Sequence, residues 1–421
     1  MRKVKLLIFV LISMFALNSA KSQVKKPNFL FIITDDQTYN AIHALGNNEI
    51  KTPNMDRLVD EGFTFTHAFN PGSWTAAVCI ASRCMLNTGQ SVFRASKNIS
   101  YFPRKKQNVE DRTEVPLWGE VLRQNGYENF LTGKWHLSDK AALKSFDFAH
   151  AIGQGMYETY DSQGSKAPGY NREKADDTPW KPWEKEFTGH WAPKVKDIIY
   201  DENESAKIGA FYTVNQHTSE LYADNAINYL LTKAKNSDKP FFMYVAFNAP
   251  HDPRQSPKEF VDMYPVEKID IPTNYLPEHP FNQGDNRVRD EKLAPFPRSK
   301  DAVQLHRSEY YAIITHADRE IGRILKALEV SGKMDNTYVI LTSDHGLAVG
   351  QHGLIGKQNL YDHSIRMPLI IKGPGLEAGE KSDEMVYLQS MYATTCELAG
   401  IQIPETVEYK SLKDLMIKDS A

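Results

Sequence analysis

The chain has 421 residues, 41% of them hydrophobic and 24% charged, a globular balance that suits one large domain or two smaller ones. A formal net charge of -3 argues against a nucleic-acid binder, which is ordinarily basic, but leaves room for a local basic pocket. Three cysteines, Cys79, Cys84 and Cys396, are too few for a disulfide framework.

The first twenty residues read as an export signal. Arg2, Lys3 and Lys5 precede an apolar run over 6–17, and Asn18-Ser19-Ala20 offers a small-residue cleavage site. The run is short for a bilayer span, and no cysteine at the cleavage site invites a lipid anchor. The expected product is exported, periplasmic or secreted, and the Lys-, Ile- and Phe-rich style reads as bacterial.

Residues 28–34 form an apolar, strand-like run that ends on Asp35-Asp36. A helix is expected over 54–61, an alternating strand over 63–69, and a helix over 79–86 after a Gly-Ser turn. Residues 117–124 read as a helix leading through Asn125-Gly126 into a strand over 129–132, followed by Gly133-Lys134-Trp135-His136. An amphipathic helix over 217–235 precedes a buried strand over 241–247 that stops at Asn248-Ala249-Pro250-His251. A long helix over 308–330 leads to a strand over 337–342 and then to Ser343-Asp344-His345-Gly346. A strand over 368–371 and a helix over 388–399, with Cys396 as a core residue, close the pattern.

Strands that are continuous apolar runs and alternate with helices predict an α/β fold. Its central sheet should be mostly parallel, with helices on both faces. Polar clusters follow the strands, at the carboxyl ends where such sheets bind ligands. Two irregular stretches, 153–207 and 270–300, resist this pattern and read as functional loops or surface excursions.

Several of these clusters have suitable chemistry and an ordinary structural alternative. Asp35-Asp36 offers oxygens for a hard cation, but a lone acidic pair is more often a turn or cap. Asp344-His345 adds two ligand atoms. Lys134, His136, His251 and Lys357 are cations or proton carriers beside strand ends or turns, where surface and packing roles compete. Cys79 and Cys84, taken alone, read as a local disulfide or two buried thiols.

The stretch Cys79-Ile80-Ala81-Ser82-Arg83, continued by Cys84-Met85-Leu86-Asn87-Thr88-Gly89, changes that balance. It resembles the signature of type I sulfatases, with Ala81 in place of a commoner proline. Asp35-Asp36-Gln37, Gly133-Lys134-Trp135-His136, Pro250-His251 and the tract from Asp344-His345-Gly346 to Gly356-Lys357 follow in the family's order. The likeness runs from about Asn28 to Pro404.

This resemblance implies an alkaline-phosphatase-like core over 21–405, with 406–421 as the start of a C-terminal antiparallel subdomain cut short. It implies that a maturation enzyme oxidises Cys79 to formylglycine, whose hydrate attacks sulfur. One Ca2+ would be held by Asp35, Asp36, the modified Cys79, Asp344 and His345, the last standing where an amide is common. Arg83 would bind the formylglycine hydroxyl and the ligating carboxylates. Lys134 and Lys357 would hold sulfate oxygens, His136 would accept the nucleophile's proton, and His251 would protonate the leaving oxygen.

The expected substrate is a sulfated glycan. Tyr170, Trp180, Trp183 and Trp191 are candidates for sugar faces, and Arg287, Arg289 and Arg298 for further anionic groups. A phosphatase or phosphonate monoester hydrolase of the same superfamily is one alternative, although lysines stand where a second metal would need histidine and aspartate. An inactive glycan-binding homologue is the other.

Overall fold

A computed structural model describes residues 25–98, 115–153, 155–156, 171–186, 189–282 and 288–417. The expected signal segment, Tyr170 and Arg287 lie outside these residues.

Strand β1 (Asn28–Thr34) is buried at every position, so it needs a hydrogen-bonded neighbour on each side and cover on both faces. Its side chains alternate accordingly. Phe29, Phe31 and Ile33 enter one apolar core and Leu30 and Ile32 the other. In chain order there follow α1 (Pro53–Glu61), β2 (Phe63–Phe69), α2 (Val78–Thr88), α3 (Trp118–Gln124), β3 (Glu128–Lys134) and α4 (Asp139–Ser145). Next come β4 (Phe148–Gly153), β5 (Lys194–Lys196), β6 (Ile198–Tyr200), β7 (Ala206–Ile208), β8 (Tyr212–Thr213), α5 (Thr218–Tyr229) and β9 (Phe241–Ala246). The last are α6 (Lys300–Val330), β10 (Thr337–Ser343), β11 (Arg366–Lys372), β12 (Lys381–Tyr387) and α7 (Ser390–Leu398).

Ten strands form one sheet in the order β12-β2-β11-β10-β1-β9-β3-β4-β5-β8. The run β10-β1-β9-β3-β4 is parallel throughout, while β11 and β5 join it antiparallel on either flank. Trp118 and Leu122 of α3 and Met391 and Tyr392 of α7 cover one face. Leu58 of α1 and Ile314, Ile321 and Leu325 of α6 cover the other. The core of the molecule is therefore two apolar layers separated by the sheet. The described part of the C-terminal stretch adds Leu412 and Met416 to the first of them.

Register decides where chemistry can gather. Thr34 pairs with Ser343, Ile33 with Ala246 and Gly133 with Ala246, so β1, β3, β9 and β10 end level with one another. Their next residues are Asp35, Trp135, Phe247 and Asp344.

Several expected boundaries shift by one or more residues, two of them with a clear local cause. The strand over 129–132 extends through Lys134, because Gly133 (φ 97°) lies so close to β9 that a Cβ would stand 1.9 Å from the Ala246 carbonyl oxygen. The long helix starts at Lys300, where the Ser299 hydroxyl accepts the Ala302 amide at 3.1 Å.

Candidate active site

The Asp35 amide donates to the Ala249 carbonyl at 3.0 Å, tying the end of β1 to the turn after β9. Asp36 then takes a left-handed backbone (φ 76°). Both carboxylates are fully buried. Cys79, in the first turn of α2, places its Sγ 3.7 Å from Asp36 Oδ1. Arg83 lies four residues along the same helix face. Its Nε donates to Asp344 Oδ2 at 2.9 Å, its Nη1 to the Lys134 carbonyl at 2.5 Å, and its Nη2 lies 3.8 Å from Asp35 Oδ1. One planar fork thus ties three strand ends together, a task that suits five fixed donors.

The two lysines approach the carboxylate pair from different elements. Lys134 Nζ donates to Asp35, and Lys357 Nζ donates to Asp36 and lies 3.5 Å from Cys79 Sγ. His251 Nε2 stands 3.7 Å from Asp36 Oδ2, and its Nδ1 is held 2.7 Å from the Asp252 carbonyl. His136 is in a left-handed conformation (φ 63°), and its buried Nδ1 makes no hydrogen bond among the described residues.

Ligand atoms of Asp35, Asp36, Cys79 and Asp344 all lie within 4.8 Å of one another, and Asp35 and Cys79 form an overlapping group with His251. His345 is outside both groups. Its ring is buried, with Nδ1 3.1 Å from the Gly346 carbonyl. Asp35 Oδ1 is buried and accepts no hydrogen bond among the described residues. An orphaned carboxylate oxygen facing further carboxylates is a donor set that fits a hard cation such as Ca2+.

The electrostatics agree. Burial, reinforced by the charge of Asp35, pushes the Asp344 carboxyl up to about 7 despite Arg83. Burial also raises Asp35, but Lys134, His251 and Arg83 outweigh it and hold that carboxyl well below the usual range. Three acids this close oppose one another's ionisation, and a cation relieves them. Burial, followed by Asp344 and Asp35, holds the Cys79 thiol well above its ordinary value, so an unmodified Cys79 is a protonated thiol and a poor nucleophile. Burial, then the charges of Lys134 and Arg83, keep His136 neutral. All three cysteines are free, so the disulfide alternative for Cys79 and Cys84 does not hold.

Residues 27–401 match the sulfatase family model. The chain belongs to the sulfatase family. It is 30% identical over 93% of its length to an arylsulfatase of Clostridium perfringens, of which it covers 78%. It is 25% identical over 95% of its length to an N-acetylglucosamine-6-O-sulfatase of Bacteroides thetaiotaomicron, of which it covers 72%. Among solved structures, BT4656 in complex with D-glucosamine-2-N,6-O-disulfate superposes with a TM-score of 0.70 at 23% identity, covering 94% of this chain and 81% of that one. A phosphonate monoester hydrolase of Agrobacterium radiobacter shares the fold at a TM-score of 0.67 and 20% identity, with 93% and 77% covered. This chain is therefore a sulfuric ester hydrolase by family, on the expected α/β core.

Around the sulfatase motifs stand residues that no motif announced. Asn70 Nδ2 donates to the Asp344 carbonyl at 2.9 Å, and the Tyr310 hydroxyl donates to the Asp36 carbonyl at 2.7 Å. His190 Nε2 donates to the His251 carbonyl at 3.0 Å, with its Nδ1 2.6 Å from the Thr218 hydroxyl. Asp290 is fully buried with Oδ2 3.6 Å from Lys357 Nζ. It comes from the irregular 270–300 stretch, where nothing in the local pattern singles it out.

The expected glycan contacts of this sulfatase change. Trp180 is 2% exposed beneath the Arg172 guanidinium, and Trp191 is 6% exposed with Nε1 bonded to the Pro182 carbonyl. Neither ring presents a face to solvent, because each fills space under its own loop. Arg298 is likewise buried, its fork spent on Glu291 and on backbone carbonyls. Trp183 and Arg289 remain half-buried.

Proposed function

We propose that this sulfatase releases sulfate from a sulfated carbohydrate, using formylglycine made from Cys79 by a maturation enzyme. The observation that carries this reading is the convergence of Cys79 with Asp35, Asp36 and Asp344, flanked by two buried lysines. In it, Cys79 Sγ stands in for the formylglycine oxygen. Asp35, Asp36, Asp344 and that oxygen would hold one Ca2+, with His345 as a neighbouring candidate, and the ion would supply positive charge to a sulfate oxygen and to the nucleophile.

The protein's own groups do the rest. The Lys134 and Lys357 ammoniums hold sulfate oxygens and leave sulfur open to in-line attack. Arg83 fixes Asp344 and the end of β3 around the nucleophile. His136, neutral through burial, takes the nucleophile's proton, and His251 gives one to the departing oxygen. The carbohydrate substrate is supported by the glycan sulfatase among its relatives. Export is supported by residues 1–20, and among the described residues no helix is long and apolar enough to cross a membrane.

Mass spectrometry of the Cys79 peptide, with sulfate release from an aryl sulfate and from position-defined sulfated oligosaccharides, tests this reading. Formylglycine at residue 79 and loss of activity in Cys79→Ala are expected. Undiminished sulfate release by Cys79→Ala would sink it. The shared fold of a phosphonate monoester hydrolase makes phosphorus the second reading, and a higher rate on an aryl phosphonate or phosphate than on an aryl sulfate would favour it.

A further inference from the structure

Lys357 is fully buried, yet it sits on an irregular stretch rather than at a strand end. An ammonium in that position needs counter-charges. The amides of Ala348 and Val349 hold the carbonyls of Gly356 and Ile355 at 3.1 and 3.2 Å, and a further anchor and a second carboxylate come from one distant segment, a short turn over Arg289–Leu293.

Glu291 accepts the Ile355 amide at 3.0 Å and the Gly356 amide at 2.7 Å, so one carboxylate fixes the amides of the two residues before the lysine. Arg298 backs it, with Nη2 2.5 Å from Glu291 Oε2 and 2.9 Å from the Glu291 carbonyl. Asp290, the preceding residue, stands 3.6 Å from Lys357 Nζ and accepts from Gln358 Nε2 at 3.3 Å. The two segments touch at a glycine. A Cβ on Gly356 would stand 2.8 Å from Glu291 Oε1 and 3.3 Å from Asp290 Cβ.

The other carboxylate on Lys357 is Asp36, which also belongs to the four-residue group that fits a cation. Asp290 is outside that group. A cation drawing on Asp36 leaves Asp290 as the carboxylate that answers Lys357.

We propose that Asp290 and Glu291 are positioning residues that aim Lys357 at the substrate's sulfate. Glu291 sets the backbone that carries the lysine, and Asp290 supplies the counter-charge that keeps the ammonium in place. This rests on the role proposed for Lys357 as a sulfate contact, and its test is chosen to be separable from that role.

The test is a double-variant cycle of Asp290→Asn and Lys357→Met in the whole enzyme, read as kcat and KM on an aryl sulfate and as affinity for inorganic sulfate by calorimetry. Asp290→Asn should lower kcat/KM and sulfate affinity about 10- to 100-fold, the scale of removing one charge from a buried ion pair that Asp36 partly compensates. In the Lys357→Met background the same change should cost less than about threefold, because its effect runs through the lysine. Asp290→Glu should restore part of the loss.

Equal losses in both backgrounds, or sulfate binding by folded Asp290→Asn equal to wild type, would overturn the proposal. If Asp290→Asn does not fold, Glu291→Gln carries the same cycle with the same criteria. A wild type that binds sulfate but releases none from any ester would count against the proposed function, while the binding cycle still decides the role of Asp290.

Discussion

Lys134 and Lys357 bring the same charge to adjacent carboxylates, but the chain places them by different means. Lys134 is the last residue of β3, paired with Gly153 of β4 and one position beyond the Gly133–Ala246 register with β9. Backbone hydrogen bonds fix it, and the apolar strand that carries it would form with any residue at its end. Lys357 sits on a loop closed by its own backbone bonds, such as the Ala348 amide on the Gly356 carbonyl. Side chains tie that loop to the site, Glu291 on the backbone and Asp290 and Asp36 at the ammonium, with Glu291 more than sixty residues away in sequence. A position set by sheet register is robust and can be read locally. A position set by a polar strap is adjustable and cannot.

The sharpest way to break this comparison is at the two glycines. At Gly133 an added Cβ meets the Ala246 carbonyl at 1.9 Å, in a left-handed backbone that alanine also resists. A central strand cannot give way, so Gly133→Ala should cost about 4 kcal/mol or more and leave little folded protein, as read by denaturant unfolding. A normally stable Gly133→Ala would show that the register at Lys134 is softer than its close approach to β9 implies.

A third placement device adds a pH dependence. His190 braces the His251 carbonyl, and burial lowers its imidazole to about 4. The unfolded chain protonates this group near 6.5 while the folded chain does not. Its contribution is therefore present above pH 6.5 and lost as pH falls from 6.5 towards 4, by about 3 kcal/mol in all. Unfolding free energies of wild type and His190→Gln at pH 7.5 and 4.5 should show the smaller fall in the variant. An equal fall would count against a neutral, bonded His190.

The carboxylates that both lysines address give a test common to the two sides. Calcium at a hundredfold excess over its dissociation constant should add about 3 kcal/mol to unfolding, and a chelator should remove it. Variants at Asp35 or Asp36 should abolish that response. A thermal midpoint indifferent to calcium in the wild type would argue against a cation among these acids.

The same contrast explains what was legible in the sequence. Strands over 28–34 and 63–69 are found with their expected bounds because apolar period and turn residues are local signals. Asp35, Lys134 and Asp344 stand at the ends of β1, β3 and β10, which parallel register through β9 brings level. The signature around Cys79 supplied the rest of that edge. Asp290 and Glu291 were unreadable, since a polar turn inside a proline-rich stretch looks alike whether it faces water or a buried lysine. Trp180 and Trp191 misled for a related reason. An aromatic residue in a loop is written the same way whether it lines a groove or roofs its own segment, and only the packing beneath Arg172 and Pro182 distinguishes the two.

The smallest effect on stability is expected at Gly356, and it separates the two lysines most cleanly. The nearest atoms to an added Cβ are Glu291 Oε1 at 2.8 Å and Gln358 Oε1 at 3.1 Å, both ends of side chains rather than backbone, although Glu291 is held by two amides and Arg298. Gly356→Ala should therefore cost about 2 kcal/mol of stability, within the range for overpacking and below the loss at Gly133. Moving Glu291 nonetheless releases the Ile355 and Gly356 amides, and with them the aim of Lys357. A lysine displaced by an ångström loses most of its contact with a sulfate oxygen, so kcat/KM on an aryl sulfate should fall at least about tenfold while the fold survives. Activity lost with a modest fall in stability at Gly356, against stability lost outright at Gly133, is the pattern that strap and register predict. Equal stability losses at both glycines would mean that the Lys357 loop is as rigid as the sheet.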